Sequence, residues 1–293
     1  MYIYVRAQEK TYSVRQMCFA LSVTECGYYK WKRNRLRPKA WQILLAEMHK
    51  ILREHPDNEN YGVERMMIAL KHKGIIRSYS TVKRAMQKGN LLHESRRSPD
   101  GLTKADKKAE RPENLIKQDF SASEPNEKWL TDITQVQCSD GILYISPMLD
   151  CYRGEIVSLA MDTNKKKELC IKTVCDAYKL RKPEAGIIIH SDGGSQYTSR
   201  KYKKTLGSFH AIQSMSGTDK CYDNARMESW FATLKKEKLY KLDTAHMTVE
   251  EVKKEVWRYT FAYYNTVRVT TVTEDGFPPS VYQGKASDPK AVA

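Results

Sequence analysis

The feature that most constrains the fold of this chain is the stretch from Ile187 to Tyr197. It opens with three β-branched isoleucines, a short apolar run that is typical of a buried strand. The run continues into His190, Ser191 and Asp192, and a Gly-Gly pair then ends the strand. A carboxylate at the carboxyl end of a buried strand, beside a glycine-rich turn, is a frequent place for chemistry in sheets flanked by helices. Asp192 is therefore a candidate site residue, although an aspartate here is also an ordinary turn former.

Charge and cysteine content narrow the classes of function. The 293 residues carry 50 Lys and Arg against 35 Asp and Glu, a formal net charge of +15. Such an excess favours a polyanionic partner such as nucleic acid, or it is the surface of an ordinary basic protein. The seven cysteines form no Cys-x-x-Cys and no Cys/His cluster, which argues against a structural zinc site and a disulfide scaffold. With no apolar run of about 18 residues and no secretory signal, we expect a cytoplasmic protein without a membrane partner.

The spacing of apolar residues in the first 92 positions predicts helices. Residues 11–37 form a small helical unit, and the segment 27–33 mixes aromatic rings with cations. That segment is either a packed helix with a solvated basic face or a surface for a polyanion.

A second helical pattern resembles a helix-turn-helix. Helices are predicted over 39–55, 62–73 and 80–88, with a glycine turn at 73–74 and Ser80 as the cap of the last helix. As a recognition helix, the last one would present three cations to DNA, namely Lys83, Arg84 and Lys88. A three-helix bundle that binds nothing gives the same pattern.

Residues 93–125 lose hydrophobic periodicity and predict a basic linker that could follow a DNA backbone. Beyond the linker the chain alternates strands and helices. Strands are predicted at 129–137, 142–150, 155–161, 187–189 and 211–215, and helices at 166–180, 200–206, from 223 onward and at 249–264. This order predicts an α/β fold with a mixed sheet.

Three carboxylates fall on different elements of this α/β part. Asp132 lies within the first strand, Asp192 ends a later strand, and Glu228 follows after 35 intervening residues on a helix. Two divalent cations about 3.5–4 Å apart need such a set, with one bridging and two flanking carboxylates. Hard oxygen ligands without thiolates favour Mg²⁺ or Mn²⁺ over zinc.

The motifs around these acids resemble those of the DDE transposases and retroviral integrases, and most of all the OrfB-type transposases of insertion sequences with two overlapping reading frames. The matching strings are Trp129-x-x-Asp132-Ile133-Thr134, His190-Ser191-Asp192-x-Gly194-x-Gln196-Tyr197 and Asp223-Asn224-Ala225-x-x-Glu228-Ser229. The resemblance extends upstream through Tyr61-Gly62 and Ser80-Thr81-Val82-x-Arg84, and downstream through Tyr264-Asn265-x-x-Arg268 and Gly276-x-Pro278-Pro279-x-x-Tyr282. Thr270 departs from the family pattern, which commonly has a histidine there.

The resemblance implies a fold, a reaction and a division of the chain. It implies an RNase H-like catalytic core at 126–240, after a helical DNA-binding region (1–92) and the linker (93–125), and before a C-terminal helix and tail (241–293). Asp132, Asp192 and Glu228 would be the catalytic metal ligands for two Mg²⁺ or Mn²⁺ ions. The reaction would be strand cleavage at the ends of an insertion sequence, followed by attack of the freed 3′-hydroxyl on target DNA.

Supporting residues and partners follow from the same resemblance. Lys235, two helical turns after Glu228, would contact DNA near the scissile phosphate, or it is a solvated lysine. His190 either supports the site or packs in the core, and Asn224 either supports it or caps the helix of Glu228.

The expected partners are the terminal inverted repeats, target DNA and further copies of the chain on DNA, in a bacterial, nucleoid-associated setting. A frameshift fusion with the upstream-frame product is also expected, and the isolated chain would then bind the repeats weakly. The rival interpretations are a DNA-binding regulator with an inert core and an RNase H-like nuclease that does not join strands.

Overall fold

The part of the chain before residue 92 is helical. The computed structural model describes residues 1–92, 112–217, 221–273 and 275–281. Its first helices are α1 (Tyr2–Gln8), α2 (Val14–Ala20), α3 (Glu25–Arg35), α4 (Ala40–Glu54), α5 (Val63–His72) and α6 (Tyr79–Lys88), with a 3₁₀ turn at Pro56–Asn60.

These helices form two hydrophobic clusters. Helices α1–α3 enclose a small core of their own around Val5 and Tyr28, whereas α4–α6 join the large core of the α/β part. The predicted cap of α6 is wrong, because Ser78 occupies the N-cap position and Ser80 lies inside the helix.

A mixed sheet of six strands follows. Its strands are β1 (Lys128–Thr131), β2 (Thr134–Cys138), β3 (Gly141–Asp150), β4 (Ile156–Asp162), β5 (Ile188–Ser191) and β6 (Ile212–Met215). β1 and β2 pair with successive parts of the same edge of β3, so they form one strand with a break at Asp132 and Ile133. The break occurs because the Asp132 carboxylate itself accepts the N–H of Ile133, at 2.7 Å. A single unbroken strand over 129–137 is therefore a wrong prediction.

The topology of this sheet is RNase H-like, as predicted. β4, β3 and the β1–β2 strand are antiparallel, and β5 and β6 then add in parallel beside β1. Helix α7 (Lys167–Arg181) connects β4 to β5, and the short α8 (Ser195–Thr198) with α9 (Arg200–Ser208) connects β5 to β6. Neighbouring parallel strands need crossover connections of this kind. The carboxyl ends of β1, β5 and β6, which carry or precede the sequence motifs, therefore lie at the same end of the sheet.

The two faces of the sheet pack against different helices. Side chains alternate along a strand, so Trp129 and its neighbour Leu130 enter opposite cores. Trp129 lies with α7 and α9, whereas Leu130 lies with α10 (Ala225–Glu237) and α11 (Val249–Trp257). Short 3₁₀ turns precede and follow α10 at Cys221–Asn224, Leu239–Lys241 and Thr244–His246. The helix predicted over 249–264 is α11 continued by a π-helical segment, Arg258–Tyr264.

The described part of the predicted linker packs on the core. Residues 112–125 contain no helix or strand, but Ile116 is buried and the N–H of Leu115 donates to Ser214 Oγ at 2.9 Å. The rest of the predicted linker, 93–111, lies outside the described residues. Across the ranges described, no helix is both long and apolar enough to span a membrane.

Candidate active site

Two of the three predicted carboxylates meet at the ends of neighbouring parallel strands. In the pairing of β1 with β5, Leu130 lies opposite His190. Asp132 and Asp192 each come two residues later, so they lie next to each other just after the carboxyl ends of β1 and β5. The Asp192 carboxylate is held by the N–H of Gly194, which donates to Oδ1 at 3.1 Å. The register of β1 and β5 thus brings Asp132 and Asp192 together, and the hydrogen bond from the glycine turn orients the Asp192 carboxylate.

The electrostatics of this pair favour a cation. Burial raises the pKa of Asp132, and the negative charge of Asp192 raises it further. The hydrogen bond from Ile133 and the charge of Lys165 act in the opposite direction. Two carboxylates in such a cleft repel each other, and a divalent cation would relieve that repulsion. The donor set consists of carboxylate oxygens, which suit Mg²⁺ or Mn²⁺.

Glu228 lies apart from this pair. Its side chain is exposed on the first turn of α10, and partial desolvation raises its pKa. Its negative charge raises the pKa of Asp132 less than the negative charge of Asp192 does. Throughout the described ranges, no three His, Cys, Asp or Glu side chains come together closely enough to hold a metal ion. The structure therefore brings Asp132 and Asp192 together and leaves Glu228 at the margin of the site.

His190 is a buried histidine with both ring nitrogens engaged. Its Nδ1 hydrogen-bonds with Ser214 Oγ at 2.8 Å and its Nε2 with Ser216 Oγ at 3.1 Å. Burial lowers the pKa of His190 to about 4 despite the nearby charge of Asp223. A neutral ring with two serine partners matches the packing interpretation of this residue.

Asn224 connects α10 to the first strand. It occupies the N-cap position of α10 without a side-chain capping bond. Its Nδ2 donates instead to the Thr131 carbonyl at 3.4 Å, one residue before Asp132. Its Oδ1 is buried without a hydrogen-bond partner in the part of the chain that the structure describes.

Asp223 is a site-supporting residue that sequence reasoning missed. Its buried carboxylate accepts hydrogen bonds from Asn114 Nδ2 at 2.8 Å, Gln118 Nε2 at 3.1 Å and the N–H of Gly217 at 3.0 Å. These contacts tie the start of α10 to the end of β6 and to the segment before β1. Its place beside Asn224 in the matched motif was the available signal, but the motif does not show which elements it joins.

Lys235 lies on the helix of Glu228, and Lys165 acts electrostatically on Asp132. Lys235 is half-exposed two turns along α10 from Glu228, as predicted from the spacing. Lys165, which sequence reasoning also missed, is exposed and close enough for its charge to act on Asp132. Its carbonyl accepts a hydrogen bond from Gln196 Nε2 at 3.2 Å, so α8 anchors it. Within the run Lys165-Lys166-Lys167, nothing in the sequence marks which lysine faces the site.

The three predicted DNA-binding cations of α6 are exposed, while Val82, Ala85 and Met86 hold the helix in the core. They do not share one face. Arg84 and Lys88 line a groove of about 440 Å³ towards α4, where the Lys88 ammonium lies 5.1 Å from the centre of the Trp41 ring.

Comparisons with known proteins agree with this architecture. The Integrase core domain family matches residues 122–221. The 31 kDa protein of insertion element IS600 from Shigella sonnei is 30% identical over 254 residues, covering 86% of this chain and 92% of the relative. The transposase of insertion sequence IS904 from Lactococcus lactis is 34% identical over 230 residues, covering 78% of this chain and 88% of the relative.

Among solved structures, the chain is similar to the HTLV-2 integrase catalytic core domain in complex with magnesium. The identity is 18%, the TM-score is 0.41, and the match covers 54% of this chain and 96% of that one. Together, the core-domain match and the near full-length likeness to insertion-sequence proteins show that this chain belongs to the insertion-sequence transposases of the DDE transposase and retroviral integrase superfamily.

Proposed function

We propose that this chain cuts DNA at the ends of its insertion sequence and joins the freed 3′-hydroxyl to target DNA. The observation that carries the proposal is the carboxylate pair of Asp132 and Asp192 at adjacent ends of parallel strands. Burial and then the negative charge of Asp192 raise the pKa of Asp132, and a divalent cation bound between the two carboxylates would offset that repulsion. Membership in the transposase family supplies the substrate class.

Asp132 and Asp192 would hold the first metal ion, Mg²⁺ or Mn²⁺. We propose that Glu228 turns inward from its exposed position on α10 when DNA and metal are bound, and that it completes a site for two ions. When bound, these ions supply Lewis-acid chemistry, because they neutralise charge on the phosphate and polarise the oxygens of the in-line displacement.

The remaining residues hold the DNA. The charge of Lys165 acts on Asp132, and Lys235 is half-exposed two turns along α10 from Glu228; we assign both lysines to phosphates near the cleaved bond. Asn224 and Asp223 keep α10 in register with β1 and β6 through their hydrogen bonds. Catalysis then depends on alignment and charge neutralisation, which provide most of the rate enhancement in phosphoryl transfer.

The partners would be terminal repeats and target DNA on the bacterial chromosome. Because two ends of one element must be cut and joined together, we propose that at least two copies act on DNA. Fusion to the upstream-frame product would add affinity for the repeats. Equal repeat affinities for this chain and for the fusion would contradict that part.

The decisive experiment is a cleavage-and-joining assay on labelled duplex DNA that carries the repeats flanking the gene. Wild type with Mg²⁺ is compared with Asp132→Asn, Asp192→Asn and Glu228→Gln, which keep side-chain size but remove charge. We expect nicking and a joined strand in wild type alone, with DNA binding unchanged in the variants. Nicking without joining would indicate a nuclease, and binding without either would indicate a regulator with an inert core.

A further inference from the structure

Residues 14–35 fold as a helix-turn-helix. Between α2 and α3 lies a four-residue connection, Leu21–Thr24, which matches the short turn of that motif. Ser22 adopts a left-handed conformation (φ 54°), as glycine commonly does after a helix. The N–H of Val23 donates to the Cys18 carbonyl at 2.9 Å, which closes the end of α2. Thr24 Oγ1 then accepts the N–H of Gly27 at 3.1 Å and caps α3.

A small core fixes which side of α3 faces outward. Tyr28 is fully buried between α1 and α2, and Trp31, one turn later, packs on the same core. Residues three and four apart share one face of a helix. The opposite face is therefore exposed, and it carries Cys26, Tyr29, Lys30 and Arg33.

The charge of that outward face is positive and unbalanced. Acidic side chains near α3 are used elsewhere, because Glu9 accepts from Lys32 Nζ at 2.6 Å and Glu25 lies 3.9 Å from Arg15. Among the residues that the structure describes, Lys30 and Arg33 have no carboxylate partner. Two free cations beside an exposed tyrosine ring suit the phosphates and base edges of duplex DNA.

The other predicted helix-turn-helix, α5–α6, is less suited to enter the major groove of DNA. Its connection, Lys73–Ser78, has six residues rather than four. Two of its three cations, Arg84 and Lys88, line the groove towards α4. By contrast, the outward stripe of α3 has nothing packed on it within the described residues.

We propose that α3 is a recognition helix that enters the major groove of duplex DNA at the ends of the element, with Tyr29, Lys30 and Arg33 in contact. The inference depends on the proposed function for the choice of DNA sequence. It does not depend on the carboxylates. Under this inference, sequence-specific contact with DNA is made by residues 14–35 and not solely by residues 62–88.

The first test uses the full chain with Lys30→Ala and Arg33→Ala combined. Binding is measured by fluorescence anisotropy on a labelled duplex with the terminal repeats and on a scrambled duplex of equal length, at several salt concentrations. We expect repeat affinity to fall about 10- to 100-fold and the salt slope to fall by about two units. The control, Lys179→Ala with Lys204→Ala, removes equal charge from exposed positions on α7 and α9 and should leave both values near wild type.

The second test needs no substitution that could disturb folding. Cys26 is an exposed free thiol on the proposed contact stripe, and half-buried Cys175 on α7 is an internal reference. Alkylation of each thiol is followed by mass spectrometry of its peptide, with and without the repeat duplex. We expect DNA to slow alkylation of Cys26 about tenfold or more and to leave Cys175 unchanged.

Unchanged affinity and slope in the double variant, together with unchanged alkylation of Cys26, would overturn the inference. The two proposals fail separately. Wild type that protects Cys26 on repeat DNA but never nicks it would refute the proposed function and leave the role of α3 standing. Nicking and joining by wild type, with Cys26 unprotected and the affinity of the double variant unchanged, would leave the proposed function standing and refute the role of α3.

Discussion

Arg268 forms a bidentate ion pair with Glu237, in which Nε donates to Oε2 and Nη2 donates to Oε1, each at 2.8 Å. Arg65 of α5 donates to the same carboxylate at 2.6 Å, and the Tyr259 hydroxyl donates at 2.7 Å. Glu237 is the last residue of α10, the helix whose first turn carries Glu228. One buried carboxylate thus joins the N-terminal helices and the C-terminal segment to α10.

Replacing Arg268 with alanine should destabilise the protein. Glu237 would remain buried with one arginine fewer, and breaking a buried ion pair from one side costs about 3–5 kcal/mol. The free energy of unfolding from urea titration at pH 7 measures this loss. Arg258→Ala is the matched control, since its pair with Glu255 is 3.5 Å long and Arg258 is exposed, so about 0–1 kcal/mol is expected. A loss below about 1 kcal/mol for Arg268→Ala would show that the pair contributes little.

The same contacts predict acid sensitivity. Burial alone raises the pKa of Glu237, but the hydrogen bonds and charges of Arg268 and Arg65 outweigh it and leave the pKa below the usual 4.5. The unfolded chain therefore takes up this proton first as pH falls. The stabilisation is complete above pH 4.5 and is lost as pH drops through the folded-state pKa. Urea midpoints between pH 7 and 3.5 should show this fall, and Glu237→Gln should flatten it.

Lys235→Ala should weaken DNA binding while the fold stays intact. Loss of one phosphate contact reduces the slope of log affinity against log salt by about one unit. Lys236, its exposed neighbour, provides the control variant Lys236→Ala. An identical slope for wild type and Lys235→Ala would identify Lys235 as a solvated lysine.

Gly194→Ala should impair cleavage. A Cβ at position 194 would lie 3.0 Å from Asp192 Oδ1 and 3.1 Å from Gln196 Oε1, so the Asp192 carboxylate would have to shift by a few tenths of an ångström. Misalignment of that kind should lower the cleavage rate about tenfold.

Gly207→Ala is the control for that change, because nothing lies within 4 Å of its Cβ position on α9. It should keep full activity and gain about 0.5–1 kcal/mol of stability. Equal cleavage rates for the two alanine variants would mean that the Asp192 carboxylate tolerates the displacement.

Much of the α/β fold was predictable because its signals are local. Apolar runs, glycine turns and helical periodicity indicated β3, β5 and α7 close to their observed bounds, and the start of α10 within two residues. The break at Asp132 was not predictable, since the sequence alternates through it and the cause is a hydrogen bond from the next residue. The π-helical end of the helix after α11 gave no signal either, because its aromatic residues keep the usual helical spacing.

For the site, the sequence motifs predicted three acids but not their relative placement. Register between β1 and β5 brings Asp132 and Asp192 together, and register depends on pairing over 60 positions of chain. The exposed position of Glu228 and the contacts of Asp223 depend on how α10 docks. Partners such as Arg65 and Glu237, 172 residues apart, carry no local mark of their contact.

The ion pairs of Arg65 and Arg268 with Glu237 also determine how far this enzyme can be truncated. A fragment cut at residues 126–240 would keep all three predicted acids but lose Arg65 and Arg268, and α10 would end in a buried charge without its cations. Helices α1–α3 have a core of their own, so we expect that they can be removed without breaking the large core. The smallest self-supporting piece with all three predicted acids should therefore begin near α4 and continue past Arg268, well beyond Glu228.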